Sequence, residues 1–368
     1  MLLIMTMSAV AQVTTSSMAG KVSLEGSDEE IIGATIVAVH EPSGTRYTAV
    51  TNVKGMFSIQ GMRPGGPYNV TVSYIGHQTK TFKGIVLQLA ETYNLPAMLS
   101  ENSTDLDEII VTGSASKLMN EKMGAATNIT SAQISALPTV TRSITDLTRL
   151  SPYGGNGMTF AGSDGRTANF TVDGANFNND FGLSSNLPGG GNPISIEAID
   201  EMQVVIAPYD VRQTNFIGGG VNAITKSGTN TFKGSAYVFH RNENMRGDAV
   251  NREVINGARE KDQQTTWGAT LGGPIIKDKL FFFVNGEMVK TPTVANRWRG
   301  QDADHPADPE NYISRTTNAD LKTVSDYVKQ KYGYDTGSWT SFPADENNYK
   351  LLARLDWNIA DKHHLALR

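Results

Sequence analysis

From Tyr349 to Ile359 the residues alternate in character. Odd positions carry Tyr349, Leu351, Ala353, Leu355, Trp357 and Ile359, and even positions include Lys350, Arg354, Asp356 and Asn358. Neighbouring side chains on a β-strand point to opposite faces, so this run has one apolar and one charged face. Its length is about that of a strand crossing a bilayer. Leu280–Met288 repeats the pattern, with Leu280, Phe282, Val284 and Met288 on one face and Asn285 and Glu287 on the other. Thr265–Ile275 places Trp267, Ala269, Leu271 and Ile275 together, and Phe232–Arg241 is less regular. The connectors are unequal. Ile276–Lys279 and Ala360–Lys362 are tight turns, whereas residues 242–264 and 291–348 are long and polar. An outer-membrane barrel distributes its connections this way, long outside and short in the periplasm, whereas a soluble sandwich has no reason to keep its short turns at one end.

Composition agrees with that reading. No apolar run approaches the roughly 20 residues of a transmembrane helix, and mean hydropathy is −0.29 with 39% hydrophobic residues. Alternating strands score poorly on hydropathy, so a barrel stays open where a helical membrane protein is excluded. The 368 residues suffice for two or three domains. A formal charge of −5, spread along the chain, argues against a nucleic-acid partner. Cysteine is absent, which removes disulfides and thiolate chemistry. Met1–Val10 is apolar apart from Thr6 and Ser8, and Ala9-Val10-Ala11 supplies small residues before a cut ahead of Gln12. Residues 1–11 therefore read as a signal peptide; a basic n-region is missing, which leaves room for a start upstream of Met1.

Residues 17–100 read as a β-sandwich. Short β-prone runs (Ile31–Val39, Arg46–Thr51, Met56–Gln60, Tyr68–Tyr74, Ile85–Leu89) are separated by turn signals such as Pro42-Ser43-Gly44 and Asn52–Gly55. Residues 101–122 are expected to be a linker, acidic at first. Within it, Asp107-Glu108-Ile109-Ile110-Val111-Thr112-Gly113 is a β-branched run ending on glycine. With no partner strand nearby it would offer an unpaired backbone edge to a strand of another protein. The alternative is the first strand of the following domain. Residues 123–230 form an α+β segment: helices at Ser131–Leu137 and Ser143–Leu150, a helical turn at Glu197–Asp200, and strands at Asn169–Asp173, Met202–Ala207 and Val221–Thr225. Residues 231–368 hold the alternating strands. One long connector carries a helix, with Leu321, Val324, Tyr327 and Val328 on one face of Asp320–Tyr332 and Gly333 as its stop.

Catalytic signals are poor. Asn176, Asn178 and Asp180 alternate like the start of a calcium loop, but Leu187 stands where a bidentate Glu is needed. Gly154-Gly155-Asn156-Gly157 and Gly189-Gly190-Gly191 lack the Lys-Ser/Thr ending of a phosphate loop. His240-Arg241-Asn242-Glu243 has the His-x-x-Glu spacing of some zinc peptidases, yet a third ligand would have to come from His305, His363 or His364, in a loop and a turn. No enzyme, metal site or cofactor is expected.

Several stretches carry a resemblance. Thr51–Ile59 and Tyr74-Ile75-Gly76-His77 are similar to the carboxypeptidase regulatory-like family, an accessory module without catalysis. Thr171-Val172-Asp173-Gly174, Ile196–Val204 and Gly219–Gly228 follow the order of motifs in a receptor plug. Together with the alternating strands, the chain resembles the TonB-dependent outer-membrane receptors, Oar-like group, cut off early in the barrel. The fold implied is a mainly β chain: an N-terminal sandwich, an α+β plug, and the first strands of a barrel that uses about 22 when complete. The resemblance makes Asp107, Glu108, Ile109, Ile110, Val111, Thr112 and Gly113 the TonB box. It implies TonB and its inner-membrane energising complex, outer-membrane lipid, the barrel-assembly machinery and an unidentified extracellular ligand as partners, with the sandwich in the periplasm of a Gram-negative cell. The rivals are a surface adhesin that binds without transport and a secreted metallopeptidase.

Overall fold

A computed structural model describes residues 14–27, 29–101, 109–112, 120–121, 124–137, 139, 141–178, 187–188, 192–208, 210, 213–245, 247, 249–254, 262–293, 297–339, 342, 344–360 and 363–368. The signal-peptide stretch, together with Asp107, Glu108 and Gly113, lies outside them. By contacts the chain divides into two units: Met1–Ser235 with Thr270–Asn285 and Lys350–Arg368, and Ala236–Ala269 with Gly286–Tyr349.

The first unit begins with a two-sheet sandwich. Its strands are β1 (Ser16–Leu24), β2 (Thr35–His40), β3 (Thr45–Val50), β4 (Met56–Met62), β5 (Gly65–Ser73), β6 (Lys80–Leu87), β7 (Thr92–Asn94), β8 (Ala97–Leu99), β9 (Ile109–Thr112) and β10 (Asn120–Glu121). One sheet runs β10-β7-β1-β4, with β8 also on β1; the other runs β3-β2-β5-β6-β9. Alternate residues bury: Ile36 and Ala38 on β2, Tyr68, Val70 and Val72 on β5, Met18 and Val22 on β1. At about 2 kcal/mol for each large apolar side chain removed from water, this shared core holds the sheets together. Strand β1 carries no β signal in its sequence, Ser-Ser-Met-Ala-Gly-Lys-Val-Ser-Leu, and forms because partners far along the chain flank it.

The plug segment follows. It contains β11 (Gly124–Thr130), α1 (Ser131–Ala136), α2 (Ile144–Thr148), β12 (Asn169–Val172), β13 (Ala175–Asn176), β14 (Ile199–Pro208) and β15 (Gly220–Thr225), with sheet order β11-β14-β15-β12-β13. Ser143 caps α2 and Asp146 returns the bond, the capping box that the sequence outlines. Helix α1 is capped by Thr130, with Gln133 returning the bond. Phe160, Phe170, Met202, Val204 and Val221 make the core. A Cβ on Gly219 would lie 2.5 Å from the Phe160 ring. Gly219→Val is therefore expected to destabilise this segment by about 1–3 kcal/mol, read as a lower midpoint of denaturant unfolding.

The long strands are β16 (Lys233–Arg241), β19 (Gln264–Ile276), β20 (Leu280–Thr291), β23 (Glu346–Ala360) and β24 (His363–Leu367), paired in that order in an open sheet. On β23, Leu351, Leu355, Trp357 and Ile359 are exposed while Arg354 is buried between them. On β20 the buried face is Phe281, Phe283, Asn285 and Glu287. The exposed faces match those read from the sequence, as a lipid-facing wall requires. The second unit also holds the hairpin β17 (Ala249–Val250) and β18 (Glu253–Val254), the pair β21 (Arg299–Gln301) and β22 (Ile313–Thr317), and α3 (Asn318–Tyr332). Thr317 and Asp320 form the capping box of α3, and Gly333 ends it at φ +66°. No helix among the described residues is long and apolar enough to cross a membrane.

Candidate functional site

Two of the motifs singled out in the sequence meet in space. Asp173 ends β12 in a left-handed turn at φ +50°. Its carboxylate accepts from the Thr225 backbone N–H at 3.0 Å and the Thr225 hydroxyl at 2.5 Å. Thr225 closes β15, so the Val-Asp-Gly turn pins the end of the Gly-Gly-x-Asn strand. The third motif joins through Lys226, whose N–H donates to the Ala198 carbonyl at 2.8 Å. Next to it Arg142 grips Glu197 at 2.7 Å.

Onto this knot comes Arg354, from the charged face of β23. Its Nη1 donates to the Thr225 carbonyl at 2.5 Å and lies 3.8 Å from the Asp173 carboxylate. Its Nε and Nη2 clasp Asp356, two residues along the same face, at 2.8–3.1 Å. Arg368 adds a second cation on Asp173, at 3.4 Å, and donates to its carbonyl at 3.0 Å. From the sandwich, Arg63 reaches Asp356 at 3.5 Å and also donates to the Ser227 hydroxyl. A cavity of about 150 Å³ lies among these groups and Asp200. Burial raises the Asp200 pKa, and the Arg63 and Lys226 charges pull it back. A buried ion cluster holds only while every charge keeps its partner. It can fasten two surfaces and release them without exposing an apolar core.

A second joint connects the sandwich to the plug segment. The Leu89 N–H donates to Glu201 at 3.0 Å, and its carbonyl accepts from Gln203 at 2.9 Å and Asn128 at 3.1 Å. Burial pushes the Glu201 carboxyl up to about 8, with Asp200 and Glu91 adding to the rise and the Leu89 bond opposing it. A carboxyl that holds its proton more tightly when folded stabilises the fold fully below its unfolded pKa. That contribution fades as pH climbs from about 4.5 to about 8. Glu201→Gln should abolish this slope and gain on the order of a few kcal/mol over the native protein at pH 8.5, measured as the difference in melting between pH 5.5 and 8.5.

Other sequence candidates fall apart or stand apart. Asn178 is structural: its side chain accepts from the Phe170 N–H at 2.7 Å and donates to Asn169 at 2.7 Å. His240 contacts Thr265 at 2.8 Å, and no group of three metal-ligating residues exists among the described residues. Ile109–Thr112 is a strand, but not an unpartnered one: β9 lies parallel to β6, with Lys80 opposite Ile109 and Lys83 opposite Thr112. Sequence reasoning missed Arg354, Asp356, Arg63 and Glu201 as members of a site. The only signal for the first two was their place on the charged face of the alternating run, a pattern common to every barrel strand that singles out neither residue.

A sandwich, an α+β plug segment and two-faced strands tied to it by the buried Arg354 are the architecture of a plugged outer-membrane β-barrel. The outer membrane beta barrel domain family matches residues 224–368, and the carboxypeptidase regulatory-like domain family matches residues 17–100. The TonB-dependent transporter Oar of Myxococcus xanthus is 28% identical over 338 residues, which is 87% of this chain and 30% of that protein. The chain thus spans under a third of its curated relative. Among solved structures, the siderophore receptor PirA from Acinetobacter baumannii matches 66% of this chain and 30% of its own at 21% identity and a TM-score of 0.41. The outer membrane transporter YddB from Escherichia coli matches 66% and 32% at 11% identity and a TM-score of 0.43. The chain is an Oar-like homologue of the TonB-dependent receptors, with a carboxypeptidase regulatory-like domain and an outer-membrane β-barrel domain.

Proposed function

We propose that the protein is an energised outer-membrane transporter: an extracellular ligand binds, TonB engages the run around Ile109–Thr112, and force draws the plug off the barrel wall to open a path. The observation that carries this reading is the Arg354–Asp173–Thr225 fastening. Between these elements the plug's closing strand is held to the wall by ions and hydrogen bonds. Such a contact can part and re-form, whereas an interdigitated apolar interface resists parting. On this reading the signal peptide exports the chain, the barrel-assembly machinery inserts it in outer-membrane lipid, and the sandwich sits in the periplasm within reach of TonB and its inner-membrane energising complex. The named relatives are receptors and transporters, which favours transport over catalysis here.

The test is accumulation by intact cells of material that only receptor-bearing cells bind. Accumulation should require the receptor, TonB and the proton gradient together. Surface binding without energy-dependent accumulation would instead make the protein an adhesin. Stoichiometric zinc with peptide cleavage would make it a peptidase.

A further inference from the structure

The pairing of β9 bears on how TonB would reach its docking run. Strand β9 is the terminal member of the order β3-β2-β5-β6-β9 among the described residues. It lies parallel on Lys80–Lys83 through residues 109–112. Eight residues later β10 joins the other sheet, with Asn120 opposite Tyr93 and Glu121 opposite Thr92. The stretch between sandwich and plug is thus attached to both sheets of one domain. A strand has two hydrogen-bonding edges, and β6 occupies one edge of β9.

Granted the docking role proposed for this run, we infer that the carboxypeptidase regulatory-like domain presents it as an ordered edge strand, and that a strand of TonB's periplasmic domain adds to the outer edge of β9 while β6 keeps the inner one. The partner would extend the sheet, with β6 and β9 still paired beneath it. Strand addition of this kind needs an exposed edge, supplies affinity through main-chain bonds and takes specificity from alternate side chains. Fixing the run in extended form beforehand removes an ordering cost that a free peptide pays on binding. It also gives the accessory domain a task that needs no pocket of its own.

The test uses the full receptor and a reversible staple. These 368 residues contain no cysteine; with any cysteine elsewhere in the full receptor replaced by serine, Lys83→Cys with Thr112→Cys, opposite each other in register and with Lys83 exposed, supplies a single pair of thiols. A bifunctional methanethiosulfonate should bridge this pair. It should fail on Lys83→Cys with Ile109→Cys, three residues out of register or about 10 Å away. Binding of purified TonB periplasmic domain should stay within about threefold after stapling. Hydrogen exchange at residues 80–83 should be no faster in the complex than in the free receptor.

A tenfold or greater loss on stapling, restored by reductant, would overturn the inference, because the run must then leave β6 first. Faster exchange at residues 80–83 on TonB binding would overturn it too, as would failure of the in-register pair to bridge. If the unstapled receptor does not bind TonB at all, the docking role falls and this inference with it. That outcome is separate from the others because it precedes any staple.

Discussion

Ile110→Pro will reduce energised uptake to the level of cells lacking TonB, while the receptor still assembles and binds its ligand at the cell surface. Proline lacks the N–H that a ladder needs, and its ring crowds the neighbouring strand. Ile110 faces Thr81 in the β6–β9 register. Successive residues of a strand donate to opposite edges, so Ile110→Pro and Val111→Pro each strip a donor from a different side. One variant weakens the hold on β6, and the other weakens the edge offered to a partner. A net hydrogen bond is worth about 1 kcal/mol, and ring crowding adds to that. TonB binding should therefore weaken at least tenfold for the variant that faces the partner. Uptake suffers more than binding, because a joint that must carry force gives way at its weakest rung. Ile110→Val keeps the backbone and should behave as the native receptor. Unchanged uptake in both proline variants would remove this run from the energising step.

The fold was legible where a pattern repeats and obscure where a contact is long-range. The two faces of β23 and β20 follow from a period of two, and lipid on one side leaves little freedom to shift register. The end of α3 at Gly333 was legible, but its start was read two residues late, at Asp320, because the capping pair Thr317 and Asp320 was not recognised. The turn at Asp173 and the strand at Thr225 could be recognised as motifs, but their bond crosses 52 positions. The Arg354–Thr225 bond crosses 129. No local signal names such partners. Strand β1 escaped for a related reason, since its apolar Met18, Val22 and Leu24 stand among small and polar residues and its partners come from Met56–Met62 and Thr92–Leu99. The partner of β9 escaped too. A four-residue run can pair with any open edge, and only the folded sandwich decides that the edge of β6 is within reach.

Arg354→Met will loosen the plug more than any other single change at this site. The substitution preserves most of the side chain's volume and removes its charge. Asp173 loses one of its two cations, Asp356 keeps only the longer contact with Arg63, and the Thr225 carbonyl loses a donor. Removing one partner of a buried ion pair typically costs about 3–5 kcal/mol, because the remaining charge stays desolvated. Amides of Gly220–Thr225 should then exchange on the order of a hundredfold faster or more. Cells should also admit a large antibiotic that the intact outer membrane excludes, without needing TonB. Arg354→Lys keeps the charge but cannot clasp Asp356 with two nitrogens while also reaching Thr225, so it should fall between the two. The decisive comparison is the pair Arg354→Met with Asp356→Asn. If the cost arises from a stranded carboxylate, the second change should recover part of what the first lost, giving a coupling beyond the sum of the single effects. Strict additivity, or native exchange rates in Arg354→Met, would mean that the arginine merely fills space and that the plug is held elsewhere.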